Sequence, residues 1–417
     1  MALGRRPIEI VNEGKHQLLV KADHWDRIFL GEIAKVQNGF AFSSKNFVKA
    51  GGIPLIRIRD IEHETTVDRY EGEFSDEFIV NKGDMLVGMD GDFNAAIWKG
   101  GAALLNQRVC RIIPNSNKFD PRFLFICLQP YLNAINEETS AVTVKHLSSK
   151  TIEEIPLPFP KLEDQRAIVS KIEELFSELD KGIENLRLAQ QQLNIYRQAV
   201  LKWAFEGKLT NGKLIAGALP KGWVKKPLGD VAQSCLGKML DKDKNKGNYH
   251  YYLRNISVRW GSFDLKSLEQ MRFEENENER YGLKKGDLVI CEGGEPGRCA
   301  VWKDEFPNMK IQKALHRVRV KDTLSVFYLY FFMFYSGKNG LLEKSFTGTT
   351  IKHLTGIQLK NILIPIPSIE EQGSIVQEIE SRLSVADKLE ETITQSMQQA
   401  EAARQSILKQ AFEGKLV

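Results

Sequence analysis

Ala204-Phe205-Glu206-Gly207-Lys208-Leu209 recurs unchanged as Ala411-Phe412-Glu413-Gly414-Lys415-Leu416, 207 residues later. Reading backwards from either copy, no gap is needed for 67 positions, and 29 of these are identical. Thr143, Lys145, His146 and Leu147 align with Thr350, Lys352, His353 and Leu354. Solenoid repeats run ~20–50 residues, so this period marks a duplicated half-protein. Two similar surfaces in one chain imply a task that needs both.

Each hexapeptide closes a long helical pattern. In the first copy the stripe falls at 168, 172, 175, 179, 183, 186, 189, 193, 196, 200 and 203. In the second it falls at 375, 379, 383, 386, 389, 393, 397, 400, 403 and 407. Steps of three and four make a coiled-coil type of stripe. Helices of roughly 40 residues extend ~60 Å, and Gly207 and Gly414 stand where C-cap glycines belong. A lone helix with one apolar stripe must bury it, so the two are predicted to pack antiparallel. With a globular domain at the start of each, the pair becomes a spacer of fixed length.

Before each helix the copies share an order rather than a register. Trp25 precedes Leu30-Gly31-Glu32-Ile33-Ala34, and Trp223 precedes Leu228-Gly229-Asp230-Val231-Ala232. Lys82-Gly83-Asp84-Met85-Leu86-Val87 is matched by Lys285-Gly286-Asp287-Leu288-Val289-Ile290, a turn followed by a buried strand. Ile56-Arg57-Ile58-Arg59 and Leu253-Arg254-Asn255-Ile256 also read as strands. Trp98 and Trp302 are expected in cores. Each globular part ends on a proline-punctuated strand, 155–160 and 364–367, where proline forbids a helix before it. The fold class is therefore α+β: two globular domains with two long antiparallel helices forming a coiled coil, duplicated about a pseudo-twofold. The boundaries are 1–24 (N-terminal extension), 25–162 (domain 1), 163–207 (helix 1), 208–222 (linker), 223–367 (domain 2) and 368–414 (helix 2).

The net charge of +4 hides an asymmetry. Residues 163–206 carry −2 and residues 370–413 carry −5, which leaves +11 on the remainder. Basic domains with acidic connectors fit a polyanion binder. No apolar run approaches the ~20 residues of a membrane span, and the N-terminus does not read as a signal peptide. The five cysteines form no CxxC pair, so a reducing cytoplasm is the expected location. Catalytic signatures are missing: there is no phosphate loop, no GxGxxG after a strand, no Asn-Pro-Pro-aromatic motif and no HExxH. No catalytic, metal or cofactor residue is predicted.

The stretches Pro158–Val169 with Ala204–Leu209, and Pro365–Val376 with Ala411–Leu416, resemble the specificity subunit of type I restriction–modification systems. They carry Pro-x-Pro, Glu-x-Gln-x-x-Ile-Val, a long helix and Ala-Phe-x-Gly-x-Leu. The resemblance covers nearly the whole chain. It implies a non-catalytic host-defence subunit in which each globular segment is a target-recognition domain reading one half of a split duplex-DNA sequence. The helices would set the gap and dock two methyltransferase subunits, with restriction subunits joining that complex. S-adenosylmethionine would sit on the methyltransferase. The competing reading is a coiled-coil protein–protein scaffold with nonspecific nucleic-acid binding.

Duplex DNA demands cations for phosphates and a few polar side chains for base edges. Arg57 and Arg59, two apart on a strand, would share a face, with Arg254 as the match of Arg59. The alternative for them is an ion pair with Asp60 or Glu62. The loop Asp90-Gly91-Asp92-Phe93-Asn94 and its counterpart at 293–298, with Glu295 and Arg298, differ inside a shared frame. Asn255 beside Arg254 joins the candidate set. Thr347, Thr349 and Lys352, with Lys145 in the first copy, suit a phosphate. His146 and His353 are expected to be structural. Lys238, Lys242, Lys244 and Lys246 either track a DNA backbone or form a solvated run.

Overall fold

The computed structural model describes residues 5–139, 145–211, 219–241 and 243–417. Two compact units emerge, one of residues 1–186 with 395–417, the other of residues 187–394. Hereafter these are unit 1 and unit 2.

Unit 1 is built on a four-stranded antiparallel sheet in the order Ala34–Asn38, Val109–Pro114, Met85–Gly88, Ala95–Ile97. Unit 2 repeats it with Ala232–Leu236, Leu315–Val320, Leu288–Cys291 and Cys299–Val301. The Lys-Gly-Asp phrases sit as read, at the turn into a buried central strand. Their aspartates do more than turn the chain: Asp84 accepts Arg111 at 3.0 Å, and Asp287 accepts Arg319 at 2.8 Å. A second sheet flanks the first. In unit 1 it has five strands, with Ile53–Ile56 parallel to Ala103–Leu105. In unit 2 it has three, with Asn248–Leu253 parallel to Lys310–Ile311. Trp98 and Trp302 are fully buried.

The proline strands Pro156–Phe159 and Leu363–Ile366 each pair with one strand only, Asp26–Phe29 and Val224–Pro227. Proline lacks the N–H of a central strand, and a two-stranded ribbon tolerates that. The Glu-x-Gln phrase then acts as a latch. Gln165 is fully buried; its amide donates to the Pro160 carbonyl at 2.9 Å and accepts the Asp120 N–H at 2.7 Å. Gln372 does the same with Pro367 (3.1 Å), Ser325 (2.7 Å) and also Thr323 (3.0 Å). Asp120 and Ser325 are the N-caps of helices Pro121–Glu138 and Val326–Lys338. One glutamine thus ties strand exit, long-helix start and domain helix together.

The long helices are Leu162–Phe205 and Ile369–Phe412. Gly207 and Gly414 have φ of 75° and 67°, the left-handed conformation of a C-cap. Within unit 1, residues from 162 onward run antiparallel to residues 395–412: Asp180 pairs with Arg404, which also covers the Phe176 ring. Within unit 2, Arg197 pairs with Asp387 and Glu390, each at 2.7 Å. Adding 207 to Asp180 gives Asp387, and subtracting it from Arg404 gives Arg197, so the period of the sequence is also the symmetry of the packing. Not every stripe residue is covered. Tyr196, Trp203 and Leu389 remain exposed, because the stripe is wider than the seam one partner helix can fill.

The repeated hexapeptide belongs to the core that follows it in the fold, not the one that precedes it in the chain. Ala204 and Phe205 lie in the core of unit 2, with Val200 and Leu201. Ala411 and Phe412 lie in the core of unit 1, among Ile10, Trp25, Ile168 and Ile172.

Candidate nucleic-acid interface

Three segments meet at one surface of unit 1. The strand Ile53–Ile56 ends before Arg57, and Ile58–Asp60 is a 3-10 turn capped by the Asp60 carboxylate on the Arg57 N–H at 3.0 Å. This corrects the strand reading of Arg57 and Arg59; a buried aspartate at the third position of the turn favours the cap over extension. The two arginines still converge. Arg57 and Arg59 reach Asp68 at 3.1 and 2.6 Å, and Lys49 reaches it at 3.0 Å. Hydrogen bonds from Lys49 and Arg57, with the nearby Arg59 charge, hold the Asp68 carboxyl down to about 2. Three cations around one carboxylate leave a net positive, half-exposed patch. Asp68, not Asp60 or Glu62, is the principal partner; Arg59 lies 3.7 Å from Asp60.

The second segment is the turn from Gly88 to Ala95. A methyl at Gly88 would touch Ile58, so this turn and the arginine turn adjoin. Asp90 is not a free acceptor: it holds His146 Nδ1 at 2.6 Å and Arg108 Nε at 3.4 Å. Asp92 is exposed at the tip, Phe93 is buried beneath it at φ 49°, and the Asn94 carbonyl closes the turn on the Gly88 N–H at 2.9 Å. The third segment backs this turn through Gly91 N–H to the Lys145 carbonyl and Leu147 N–H to the Met89 carbonyl, at 3.1 and 2.7 Å. Lys145 donates to the Asn136 carbonyl and side chain at 2.6 and 2.8 Å. It therefore closes a helix C-terminus, which commits two of its three donors. The residues just before it, with Thr143, lie outside the described residues.

Unit 2 assembles the same three segments with different side chains. Arg254 caps the turn Asn255–Ser257 and thus corresponds to Arg57, not Arg59. It binds Glu269 at 2.6 Å and the Ser267 carbonyl at 3.2 Å. Asn255 stands against Gly294, and its carbonyl accepts Arg298 at 2.9 Å. Glu295 takes Trp260 Nε1 at 2.7 Å and Arg298 at 2.9 Å. Partial burial raises the Glu295 pKa, but those two donors outweigh it and hold the carboxyl below its ordinary range. Thr347 and His353 exchange backbone hydrogen bonds at 2.8 Å, which commits the Thr347 N–H. Thr349 is exposed, and Lys352 is loosely paired with Glu343 at 3.8 Å. Leu354 N–H reaches the Glu292 carbonyl at 2.8 Å, as Leu147 reaches Met89.

The lysine run divides. Lys238 is buried on Glu277 at 2.5 Å and over the Phe273 ring, Lys244 pairs with Asp241 at 3.5 Å, and Lys242 lies outside the described residues. Sequence reasoning missed Lys49, Arg108 and Trp260, whose partners are far along the chain. The available signal for Arg108 was its place in Asn106-Gln107-Arg108, aligned with Gln312-Lys313-Ala314 before a matching strand. No helix among the described residues is long and apolar enough to cross a membrane. Among them, no group of three or more His, Cys, Asp or Glu is arranged to hold a metal ion.

Known proteins resemble this chain over most of its length. A family model described as "Type I restriction modification DNA specificity domain" matches residues 22–187 and 220–399. The type I restriction enzyme EcoBI specificity subunit of Escherichia coli is 34% identical over 429 residues, covering 98% of this chain and 90% of that protein. The MjaVIII specificity subunit of Methanocaldococcus jannaschii is 24% identical, covering 82% and 80%. In fold, the chain resembles one from a type I R-M system complex, with TM-score 0.71 at 19% identity over 95% and 99% of the two chains. It also resembles the HsdS subunit of Thermoanaerobacter tengcongensis, with TM-score 0.59 at 18% identity over 94% and 97%.

Proposed function

The chain belongs to the type I restriction–modification DNA specificity family, and from that premise we propose how its two units divide the work. Each unit reads one half of a bipartite duplex target, the recognition domains being residues 25–162 and 223–367. The observation that carries this is one backbone frame, built twice, holding unlike polar side chains at matching positions. Arg57 and Arg59 with Asp92 and Asn94 face one half-site. Arg254, Asn255, Glu295 and Arg298, with Thr349 and Lys352, face the other. Cations such as Arg57 contact phosphates, and polar groups at the turn tips contact base edges.

The long helices set the gap between half-sites and dock two methyltransferase subunits, through which restriction subunits join. Apolar side chains left exposed on the helices, among them Leu188, Ile195, Val385 and Leu389, support a docking role. S-adenosylmethionine binds the methyltransferase, and the complex acts on DNA in the cytoplasm. Exchanging residues 25–160 for the segment of another family member tests the division. Methylome sequencing is expected to show one half of the modified sequence changed and the other kept. An unchanged target, or a change in both halves, refutes it.

A further inference from the structure

The turns Asn106–Arg108 and Gln312–Ala314 share one pattern of backbone hydrogen bonds, although at the last position only Ala314 has a positive φ, 124°. Val109 and Leu315 N–H donate to the Asn106 and Gln312 carbonyls at 2.9 and 3.1 Å. Asn106 and Gln312 N–H reach Ile56 and Leu253 at 3.3 and 3.1 Å. Met89 and Glu292 N–H reach the Arg108 and Ala314 carbonyls at 3.0 and 2.8 Å. Gly39 and Gly237 lie so close under the two turns that a Cβ at either would collide with the Asn106 or Gln312 carbonyl. The frame is therefore fixed in both units and leaves its outward side chains free to vary.

They do vary. Unit 1 presents Gln107 and Arg108, both exposed; unit 2 presents an exposed Lys313 and the methyl of Ala314. Arg108 is held from behind. Its Nε lies 3.4 Å from one Asp90 oxygen, and the other oxygen binds His146 at 2.6 Å. With the carboxylate nearest Nε and the side chain about half exposed, the two terminal nitrogens of the guanidinium remain available as a fork. That fork matches O6 and N7 of guanine in the major groove. In unit 2 the backbone place of Asp90 is taken by Gly293, and the neighbouring cation is a lysine, which donates as a point rather than a fork.

Resting on the DNA-reading function above, we propose that these turns are specificity-determining fingers. Arg108, positioned by Asp90 and His146, reads a guanine in one half-site, and Lys313 reads an acceptor-bearing base pair in the other. The divergence at 107, 108 and 90 is then what makes the two half-sites unlike.

The test uses the full chain assembled with its methyltransferase subunits, on duplexes carrying each of the four base pairs at every position of the mapped target. Arg108→Ala should relax the choice at one G·C pair of the half-site assigned to unit 1 by about 5- to 150-fold, the range of ~1–3 kcal/mol per bidentate contact. Arg108→Lys should retain part of it. Lys313→Ala should act on the other half-site only. If Arg108→Ala slows methylation of all duplexes equally, the side chain contacts a phosphate and the proposal is overturned. An unchanged preference, or a change in the wrong half-site, overturns it too. When exchange of residues 25–160 still moves one half-site, that failure is the finger's alone. Where the exchange also fails, the reading of the units fails with it.

Discussion

Replacing Gln372 by Leu removes three hydrogen bonds while nearly keeping volume. The Ser325 N–H and the Thr323 and Pro367 carbonyls lose the partner they now have at 2.7, 3.0 and 3.1 Å. The glutamine has no exposed surface, so water cannot take over at the side chain. An orphaned buried N–H costs ~1–3 kcal/mol, and each carbonyl adds ~1 at the lower end of that range. The expected loss is about 3–5 kcal/mol, falling on unit 2. Gln165→Leu orphans only the Asp120 N–H and the Pro160 carbonyl, so it should cost unit 1 about 2–4 kcal/mol. Hydrogen exchange with mass spectrometry distinguishes the two, because the first turns of Val326–Lys338 and Pro121–Glu138 give separate peptides. In each variant the affected N-cap turn should exchange faster while the other stays protected, and urea midpoints should drop more for Gln372→Leu. A loss under ~1 kcal/mol, or equal deprotection of both helices, would refute the latch.

The Asp68 carboxyl, held at about 2 against an ordinary 3.8, contributes stability that is present above pH 3.8 and lost as pH falls through about 2. With exposed cations screening the pair, the loss should be roughly 1 kcal/mol, and urea titrations of Asp68→Asn should lack that component. Arg57→Ala should weaken binding of all duplexes alike and lower the slope of log K against log salt by about 0.9, measured by fluorescence anisotropy of the assembled complex. A sequence-selective loss would mark Arg57 as a base reader instead. Asp180→Arg should destabilise unit 1 by up to ~1 kcal/mol through the exposed pair with Arg404, and adding Arg404→Asp should recover most of it. A double-mutant cycle without coupling would remove the pair from the list of contacts that matter.

Much of the candidate site was legible only as a location. The cap turns, the 90–94 and 293–298 loops, residues 145–147 and the segment around His353 do converge, because shared phrases on either side mark where the copies agree. The roles of single side chains were less legible. Lys145 aligned with Lys352 and carried the same charge, yet its amine closes a helix end on Asn136. Arg57 and Arg59 looked like neighbours on a strand and instead meet across a turn at Asp68, 11 and 9 residues further along. Such partners are chosen by tertiary proximity, which charge and spacing do not encode.

The sequence by itself determined the duplication, the two long helices, their caps and the buried Trp98 and Trp302. These depend on local periodicity and on glycine and proline stereochemistry, and both act over a few residues. Only the tertiary structure decided where the repeated Ala-Phe-Glu-Gly-Lys-Leu is buried. The hydrophobic effect has no direction along a chain, so Phe205 and Phe412 go to whichever apolar site the helix end reaches. Phe205 enters the core of unit 2, and Phe412 enters the core of unit 1 beside Trp25. The same long-range packing set Arg108 beside Asp90 and left its side chain exposed.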